Sequence, residues 1–399
     1  MELFEPARHV SSPADAWDPK RVRGWLCGWA AAALAGRDER GCWAPHPRDL
    51  VDVGAEPRPL RCLYFGAAGV WLALARLADA GLCHLPVDLA EVLERIGDDY
   101  VHSPDTEERA ASWFLGEAGL LTLLWWARRD EATAERLAAV IRGNRDNPTR
   151  EALWGAPGTM EAALFLYEAT AEARWAEVYA DSVAAIWASW TRDEATGVWL
   201  WEQDMYGERT RYFGAGHGWA GNLHALWRGH ALLSPAQQDL LRARTLAGLE
   251  GLAMVAGERA NWPALVGRSD KSLVQWCHGA PGFITSLRHA ALPEALPLLI
   301  KGANLIAEAG PLIKGVALCH GTDGNGAALL EMYRRTGDGV WLAQARRFAM
   351  AAIGQSEASR AETGSWRQSL WTGDAGLACW LLDCLDGRSR GMPGLDSLW

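Results

Sequence analysis

Apolar residues recur every three or four positions along most of the chain, which is the spacing of one face of an α-helix. Residues 72–78 and 134–141 are examples, and alanine, leucine, glutamate and arginine dominate such stretches. Short segments rich in glycine, proline, aspartate and asparagine separate them, as at residues 144–148. Because little of the chain has a β pattern, the sequence predicts an all-α fold.

A Gly-x-x-Gly motif occurs seven times, each time at the start of an apolar helical segment. The first glycines of the copies are Gly66, Gly116, Gly155, Gly218, Gly279, Gly321 and Gly373. Each copy is too small to bury its own apolar face, so the spacing predicts a repeat array of seven helix pairs. We expect about fourteen helices closed into a ring, with the glycine loops at one mouth, where positive φ and close backbone approach favour glycine. An open helical solenoid is the alternative.

Composition restricts the classes of protein that this chain can be. The 399 residues are 49% hydrophobic and carry a formal net charge of −10, which excludes global disorder and argues against general nucleic-acid binding. The apolar stretch at residues 25–36 is too short to span a bilayer, and the first ten residues do not resemble a signal peptide. We expect a cytoplasmic protein of one domain, 1–399, with 1–20 a possible extended N-terminal segment.

Two repeats carry cysteine and histidine directly before the glycine turn. Cys277 and His278 precede the fifth turn, and Cys319 and His320 precede the sixth, so each cysteine lies two residues before the first glycine. Equivalent positions on neighbouring repeats should face a common volume. Two thiolates and one imidazole, from His320 or His278, suit Zn²⁺ and leave a fourth position open for substrate. The pattern predicts a catalytic zinc site; the alternative is two buried cysteines with local histidines.

Two further side chains stand at the same end of neighbouring repeats. His217 directly precedes Gly218, and Glu151 lies four residues before Gly155. An imidazole at this position is a candidate general acid or base, and a partly buried carboxylate could assist proton transfer. The alternatives are a histidine bonded to loop carbonyls and an exposed charge at a helix N-terminus.

The motifs HGWAG at 217–221, WCHGAPG at 276–282 and LCHGTDGNG at 318–326, together with the seven glycine turns, resemble the LanC-like family of lanthionine synthetase C cyclases and their stand-alone relatives. The resemblance implies an α/α toroid with zinc bound by Cys277, Cys319 and His320. It also implies addition of a thiol to dehydroalanine or dehydrobutyrine in a peptide, with His217 as acid/base residue. Glu151 and His278 are the second and third candidates for that proton donor.

The identity of the thiol is the remaining question. WCHGAPG and CHG-x-x-GNG resemble the stand-alone members that add glutathione, in which Lys314 and Arg367 would pair with the glutathione carboxylates. Each could instead be a solvated surface charge. A peptide cyclase that uses a peptide-cysteine thiol is the alternative; His278, Glu151 and Leu273 stand where cyclases often have tyrosine, aspartate and arginine. A third hypothesis is a non-catalytic toroid that binds a peptide or thiol.

Overall fold

The computed structural model describes residues 2–11, 16–49, 57–268 and 272–399. The helices with both ends in these ranges are α1 (Pro19–Gly36), α2 (Ala67–Asp79), α3 (Leu89–His102), α4 (Glu117–Arg128), α5 (Glu131–Asn144), α6 (Ala156–Thr170), α7 (Ala173–Ala188), α8 (Trp219–Arg228), α9 (Pro235–Gly251), α10 (Ala280–Ser286), α11 (Leu296–Ala309), α12 (Thr322–Thr336), α13 (Gly339–Thr363) and α14 (Asp374–Asp386). Residues 47–49 are also helical.

The even-numbered helices are the ones predicted to follow the glycine turns. Each of the seven begins at the residue after the first glycine of a motif, and an odd-numbered helix precedes each of them in the chain. The even-numbered helices are buried over nearly all of their first two turns, and in α2 the buried stretch covers residues 67–77. The predicted all-α pattern of seven helix pairs is therefore confirmed.

Most of the motif positions require glycine because another part of the backbone lies too close for a side chain, and not because φ is positive. Six of the seven first glycines have extended φ values between −93° and −156°, and only Gly279 has a positive φ, +108°. At the second glycine of five of the motifs, a Cβ would meet the carbonyl oxygen of the residue six positions earlier. A Cβ on Gly158 would lie 2.1 Å from the Ala152 oxygen, and one on Gly282 would lie 2.0 Å from the Trp276 oxygen.

In the described residues, three two-stranded antiparallel hairpins interrupt the helical pattern, and the sequence did not predict them. Strand β1 (Thr191–Arg192) pairs with β2 (Trp199–Leu200), β3 (Gln203–Met205) with β4 (Glu208–Thr210), and β5 (Met254–Ala256) with β6 (Arg259–Asn261). Strands of two or three residues are too short to produce a recognisable alternation of apolar and polar positions.

The chain groups into two compact units. The first consists of residues 135–309 with 111–113 and the residues up to Pro6, and in it α6, α8 and α10 pack in succession. The second consists of residues 7–110, 114–134 and 310–399. In this unit α12, α14, α2 and α4 pack in succession, so the last glycine-capped helix of the chain packs on the first. A single domain over residues 1–399 stays a prediction.

Part of the predicted N-terminal segment is extended and paired within the second unit. The Val10 amide donates to the Pro311 carbonyl at 2.9 Å, and the Ile313 amide donates to the Arg8 carbonyl at 2.9 Å. Residues 12–15 lie outside the described residues, and α1 already begins at Pro19. The N-terminal segment thus pairs with the segment that leads to Lys314.

Tryptophan side chains fill much of the interior. Trp71, Trp201 and Trp262 are almost completely buried, and their indole N–H groups donate to the main-chain carbonyls of Gly41, Ile186 and Leu249 at 2.8 to 2.9 Å. These bonds satisfy the one polar atom of each buried indole ring. Among the described helices, none combines the length and the apolar character needed to cross a bilayer.

Candidate active site

Glu151 and His217 form a carboxylate–imidazole pair in the first unit. Glu151 has no exposed surface, and its Oε2 lies 3.0 Å from Nδ1 of His217. The carboxylate also accepts the backbone N–H of Leu153 at 2.9 Å and that of Trp154 at 2.6 Å. With three donors around it, Glu151 acts as an acceptor and fixes the orientation of the imidazole.

The loop before α6 is shaped to bring the Glu151 carboxylate to this position. Arg150 has φ +46°, a left-handed conformation that is uncommon for a residue with a side chain. The Asn222 side chain of α8 donates to the Arg150 carbonyl at 2.9 Å and so holds this backbone. The strained residue turns the chain directly before Glu151, and a side chain of the neighbouring repeat supports the turn.

The environment of His217 favours its protonated form. Burial lowers the pKa of His217, but the hydrogen bond that His217 donates to Glu151, the charge of Glu151 and the charge of Cys277 together more than offset this effect. The pKa of His217 is therefore raised above its usual value of 6.5. A raised pKa increases the protonated fraction of the imidazole, and a protonated imidazole is suited to act as a general acid.

Cys277 lies in a tight turn between residues 275 and 278. The backbone N–H groups of Gln275 and His278 each donate to the carbonyl of the other residue at 3.1 Å. The Gln275 side chain donates to Cys277 Sγ at 3.0 Å, and the cysteine is only 6% exposed. A Cβ on Gly216 would lie 2.8 Å from the Cys277 Cβ, so glycine is needed there for the loop that carries His217 to pack on this turn.

Tyr212 lies close to both His217 and His278. Its ring centroid is 5.7 Å from those of His217 and His278, whose own ring centroids are 6.4 Å apart. Sequence analysis did not single out Tyr212. Its only indication in the sequence is its place in the loop that precedes His217. His278, the third candidate for a proton donor, therefore lies in the same cluster as His217.

Cys319 and His320 directly precede α12 in the second unit. Cys319 is 7% exposed, and its backbone N–H donates to the Trp371 carbonyl at 3.0 Å. Burial, assisted by the positive charges of Lys314 and Arg367, lowers the pKa of His320 to about 4. His320 is thus a neutral imidazole at physiological pH, which is the form that binds a metal ion.

Lys314 and Arg367 have different surroundings. Lys314 is exposed, whereas Arg367 is 9% exposed. The Arg367 guanidinium pairs with Asp49, to which its Nε donates at 2.9 Å, and the Thr372 hydroxyl donates to the same carboxylate at 2.9 Å. A glutathione carboxylate at Arg367 would therefore have to share this guanidinium with Asp49.

Cys277 in the first unit and Cys319 and His320 in the second are the predicted metal ligands. Each offers one ligand atom of a type that binds metal ions. Two sulfurs and one imidazole nitrogen are a donor set suited to Zn²⁺, and three protein ligands leave a fourth position for an exchangeable ligand. The hydrogen bond from Gln275 to Cys277 Sγ fits a sulfur that carries negative charge.

These features define an all-α repeat protein with a Cys/His metal-type donor group and a carboxylate–histidine pair at the glycine turns. The sequence model of the lanthionine synthetase C-like proteins matches residues 61–396, and the chain belongs to this LanC-like family. The resemblance stated from the sequence motifs is confirmed.

Two curated relatives match about half of the chain. One is glutathione S-transferase LANCL1 of Danio rerio, 28% identical over 51% of this chain and 48% of its own length. The other is LanC-like protein GCL1 of Arabidopsis thaliana, 31% identical over 47% of this chain and 44% of its own length. The aligned part of the chain thus spans less than half the length of either relative.

The fold is similar to that of a solved structure, nisin cyclase. The two chains superpose with a TM-score of 0.56 over 93% of this chain and 95% of that one, at 14% sequence identity. At this identity the likeness shows the fold alone. Together with the family match, it confirms the predicted α/α toroid class.

Proposed function

We propose that this protein adds a thiol to dehydroalanine or dehydrobutyrine residues in peptides, with glutathione as the favoured thiol. The observation that carries the proposal is the imidazole of His217, which is bound to buried Glu151 and stands on a loop that packs at Gly216 against Cys277. A proton donor beside a candidate thiolate centre is the arrangement that such an addition requires.

We further propose that Zn²⁺ is the cofactor and that Cys277, Cys319 and His320 hold it. When bound, zinc lowers the pKa of a thiol at its open position, so that the thiolate is available near neutral pH. The proposal is supported by the donor set of these three residues and by the neutral state of His320.

His217 is the proposed proton donor of the reaction. The thiolate sulfur bonds to the β-carbon of the dehydroamino acid, and the electrons of the C=C bond shift to the α-carbon and its carbonyl as an enolate. A proton then moves from the imidazole to the α-carbon. Because Nδ1 of His217 is held by Glu151, Nε2 is the nitrogen that delivers this proton.

Glu151 and His278 take different parts in the proposal. Glu151 accepts three hydrogen bonds and lies wholly buried, which supports a positioning role rather than direct proton donation. His278 follows the proposed zinc ligand Cys277 and lies near Tyr212, and it stays the alternative proton donor.

Glutathione is favoured because one relative bears the name glutathione S-transferase and because Lys314 is exposed in the loop that leads to Cys319. We propose that Lys314 pairs with a glutathione carboxylate and that Arg367, held by Asp49, supplies a second positive charge. The cytoplasm, where glutathione is abundant, is the proposed location.

A peptide cyclase is the second candidate, since the description of the matched family, lanthionine synthetase C-like protein, points to this activity. The two candidates differ in the source of the thiol. Incubation with glutathione and a cysteine-free dehydroalanine peptide should increase the peptide mass by one glutathione. Ring closure of a cysteine-bearing peptide, without glutathione addition, would support the cyclase instead.

Variants separate catalysis from passive binding. Cys277→Ala and Cys319→Ala should abolish the mass increase, and His217→Ala should slow it while zinc content is retained. Cys384→Ala, which removes a thiol of α14 outside the proposed site, is the matched control and should leave the product yield unchanged. Binding of peptide and glutathione without any product would favour a non-catalytic toroid.

A further inference from the structure

Tyr206 is the most exposed of the large hydrophobic side chains in the described residues. It is 71% exposed and occupies the turn of the β3–β4 hairpin, in the first unit. Its ring centroid lies 6.4 Å from that of His217, with the two rings nearly perpendicular. A large aromatic surface is thus open to solvent directly beside the proposed proton donor.

The phenol of Tyr206 is anchored rather than free to rotate away. The indole N–H of Trp154 donates to the Tyr206 hydroxyl at 2.9 Å. Trp154 is itself fixed, because its backbone N–H donates to the Glu151 carboxylate at 2.6 Å. Trp154 therefore connects Tyr206 to the carboxylate that orients His217, and both aromatic rings are held at the proposed site.

The backbone at Tyr206 is in a conformation that tyrosine adopts rarely. Tyr206 has φ +55° and Gly207 has φ +76°. A two-residue turn with positive φ at both positions is favourable for asparagine, aspartate or glycine, and a bulky side chain is disfavoured there. The β5–β6 hairpin follows the usual preference, because its first turn residue is Gly257, with φ +60°. Strain retained at an exposed aromatic residue beside a proposed active site suggests that the ring has a function.

We propose that Tyr206, anchored by Trp154, is a substrate-binding residue that contacts the peptide next to the dehydroamino acid. The occupant is a peptide segment in extended conformation, whose side chain or amide plane packs on the exposed ring while the dehydroamino acid reaches His217. An exposed, immobilised aromatic ring offers a large contact area at a small cost in conformational entropy. The proposal deepens the proposed function and rests on it for the location of the reacting residue.

The test uses a variant that removes the ring and relieves the strain at the same time. Tyr206→Asn places a residue that tolerates left-handed φ in the turn, so the protein should unfold at the same temperature or slightly above it. Val255→Ala, on the β5–β6 hairpin, is the matched control, since Val255 is 49% exposed on a strand that has no part in the proposed site.

Peptide binding is measured on the full chain without turnover. The probe is a fluorescein-labelled nine-residue peptide with alanine in place of the central dehydroalanine, in the absence of thiol. We expect Tyr206→Asn to weaken its binding five- to twenty-fold and Val255→Ala to leave it unchanged. Equal affinity of wild type and Tyr206→Asn, or no binding by wild type, would overturn the proposal.

A kinetic comparison distinguishes this proposal from the proposed function. The ratio of kcat/KM for a dehydroalanine peptide to that for N-acetyl-dehydroalanine methylamide should fall five- to twenty-fold in Tyr206→Asn, through KM of the peptide. An unchanged ratio would contradict the role of Tyr206 while leaving the thiol addition intact. Tyr206-dependent peptide binding without any addition would support the role of Tyr206 and contradict the proposed reaction.

Discussion

Replacement of Glu151 by glutamine tests the proposed role of the carboxylate–imidazole pair. The change keeps the shape of the side chain but removes its charge and replaces one acceptor oxygen by an NH₂ donor. In the folded protein this carboxylate accepts from His217, Leu153 and Trp154 at 3.0, 2.9 and 2.6 Å. At least one of these three donors loses its acceptor in the variant.

The expected rate loss follows from the effect on His217. Burial alone lowers the pKa of His217, and Glu151 supplies most of the opposing interactions. In Glu151→Gln the pKa of His217 should therefore be lower than in the wild type, and a smaller fraction of the imidazole should be protonated at pH 7. General acid catalysis contributes roughly 10²- to 10⁴-fold, so we expect kcat to fall about 10²-fold. The unsatisfied donor should lower the free energy of unfolding by about 1–3 kcal/mol.

The raised pKa of His217 determines in which direction the reaction rate should change with pH. The acid form of His217 is lost as pH rises through its raised pKa, so the wild-type rate should decline above pH 6.5. In Glu151→Gln the same decline should begin at lower pH. The raised pKa also means that the Glu151–His217 interaction stabilises the fold fully below pH 6.5, and that this stabilisation is lost as pH rises through the folded-state pKa.

Initial rates of glutathione addition between pH 5 and 9, scored by mass spectrometry, are the assay. Glu161→Gln is the matched control, because Glu161 is also buried and lies 2.7 Å from Nδ1 of a histidine, His224, outside the proposed site. The control should lose stability but keep the wild-type pH profile. A Glu151→Gln enzyme with wild-type kcat and an unmoved pH profile would refute the proposed role of the pair.

Three other substitutions test different parts of the structure. Lys314→Ala should raise KM for glutathione about two- to five-fold, since an exposed ion pair contributes up to about 1 kcal/mol. An unchanged KM would rule out the proposed contact. Gly282→Ala should lower the free energy of unfolding by about 3 kcal/mol in denaturant titration, because a Cβ there would lie 2.0 Å from the Trp276 oxygen. By contrast, Gly97→Ala within α3 should raise the free energy of unfolding by about 0.5–1 kcal/mol, because no atom lies within 4 Å of the added Cβ. Equal free energies of unfolding in the two alanine variants would contradict the packing argument.

The helix pairs could be predicted from the sequence because each repeat carries its own local signals. A glycine that ends a loop and an apolar stretch with helical spacing occur together seven times, and the start of each even-numbered helix followed directly from them. The hairpins lacked such signals. Gly207 and Gly257 mark their turns, but the flanking strands of three residues could not be distinguished from loops.

The site was predictable only as far as the repeats place residues at equivalent positions. Repeat position related His217 to Glu151, which are 66 residues apart, but not the burial of Glu151 or its two backbone donors. The ion pair between Asp49 and Arg367 joins residues 318 positions apart and has no counterpart in the repeat pattern. Such pairings depend on how loops of different length fold back on the helices, which composition and periodicity do not specify.

The metal content of the purified, reduced protein is the most direct test of the central claim, that Cys277, Cys319 and His320 together bind one zinc ion. Mass spectrometric metal analysis should find about one zinc per chain in the wild type and a large loss in Cys277→Ala and in Cys319→Ala. Cys379→Ala, which removes a buried thiol of α14 whose pKa is raised to about 12, should retain the metal. A wild type without stoichiometric zinc, or full zinc occupancy in both ligand variants, would contradict the account.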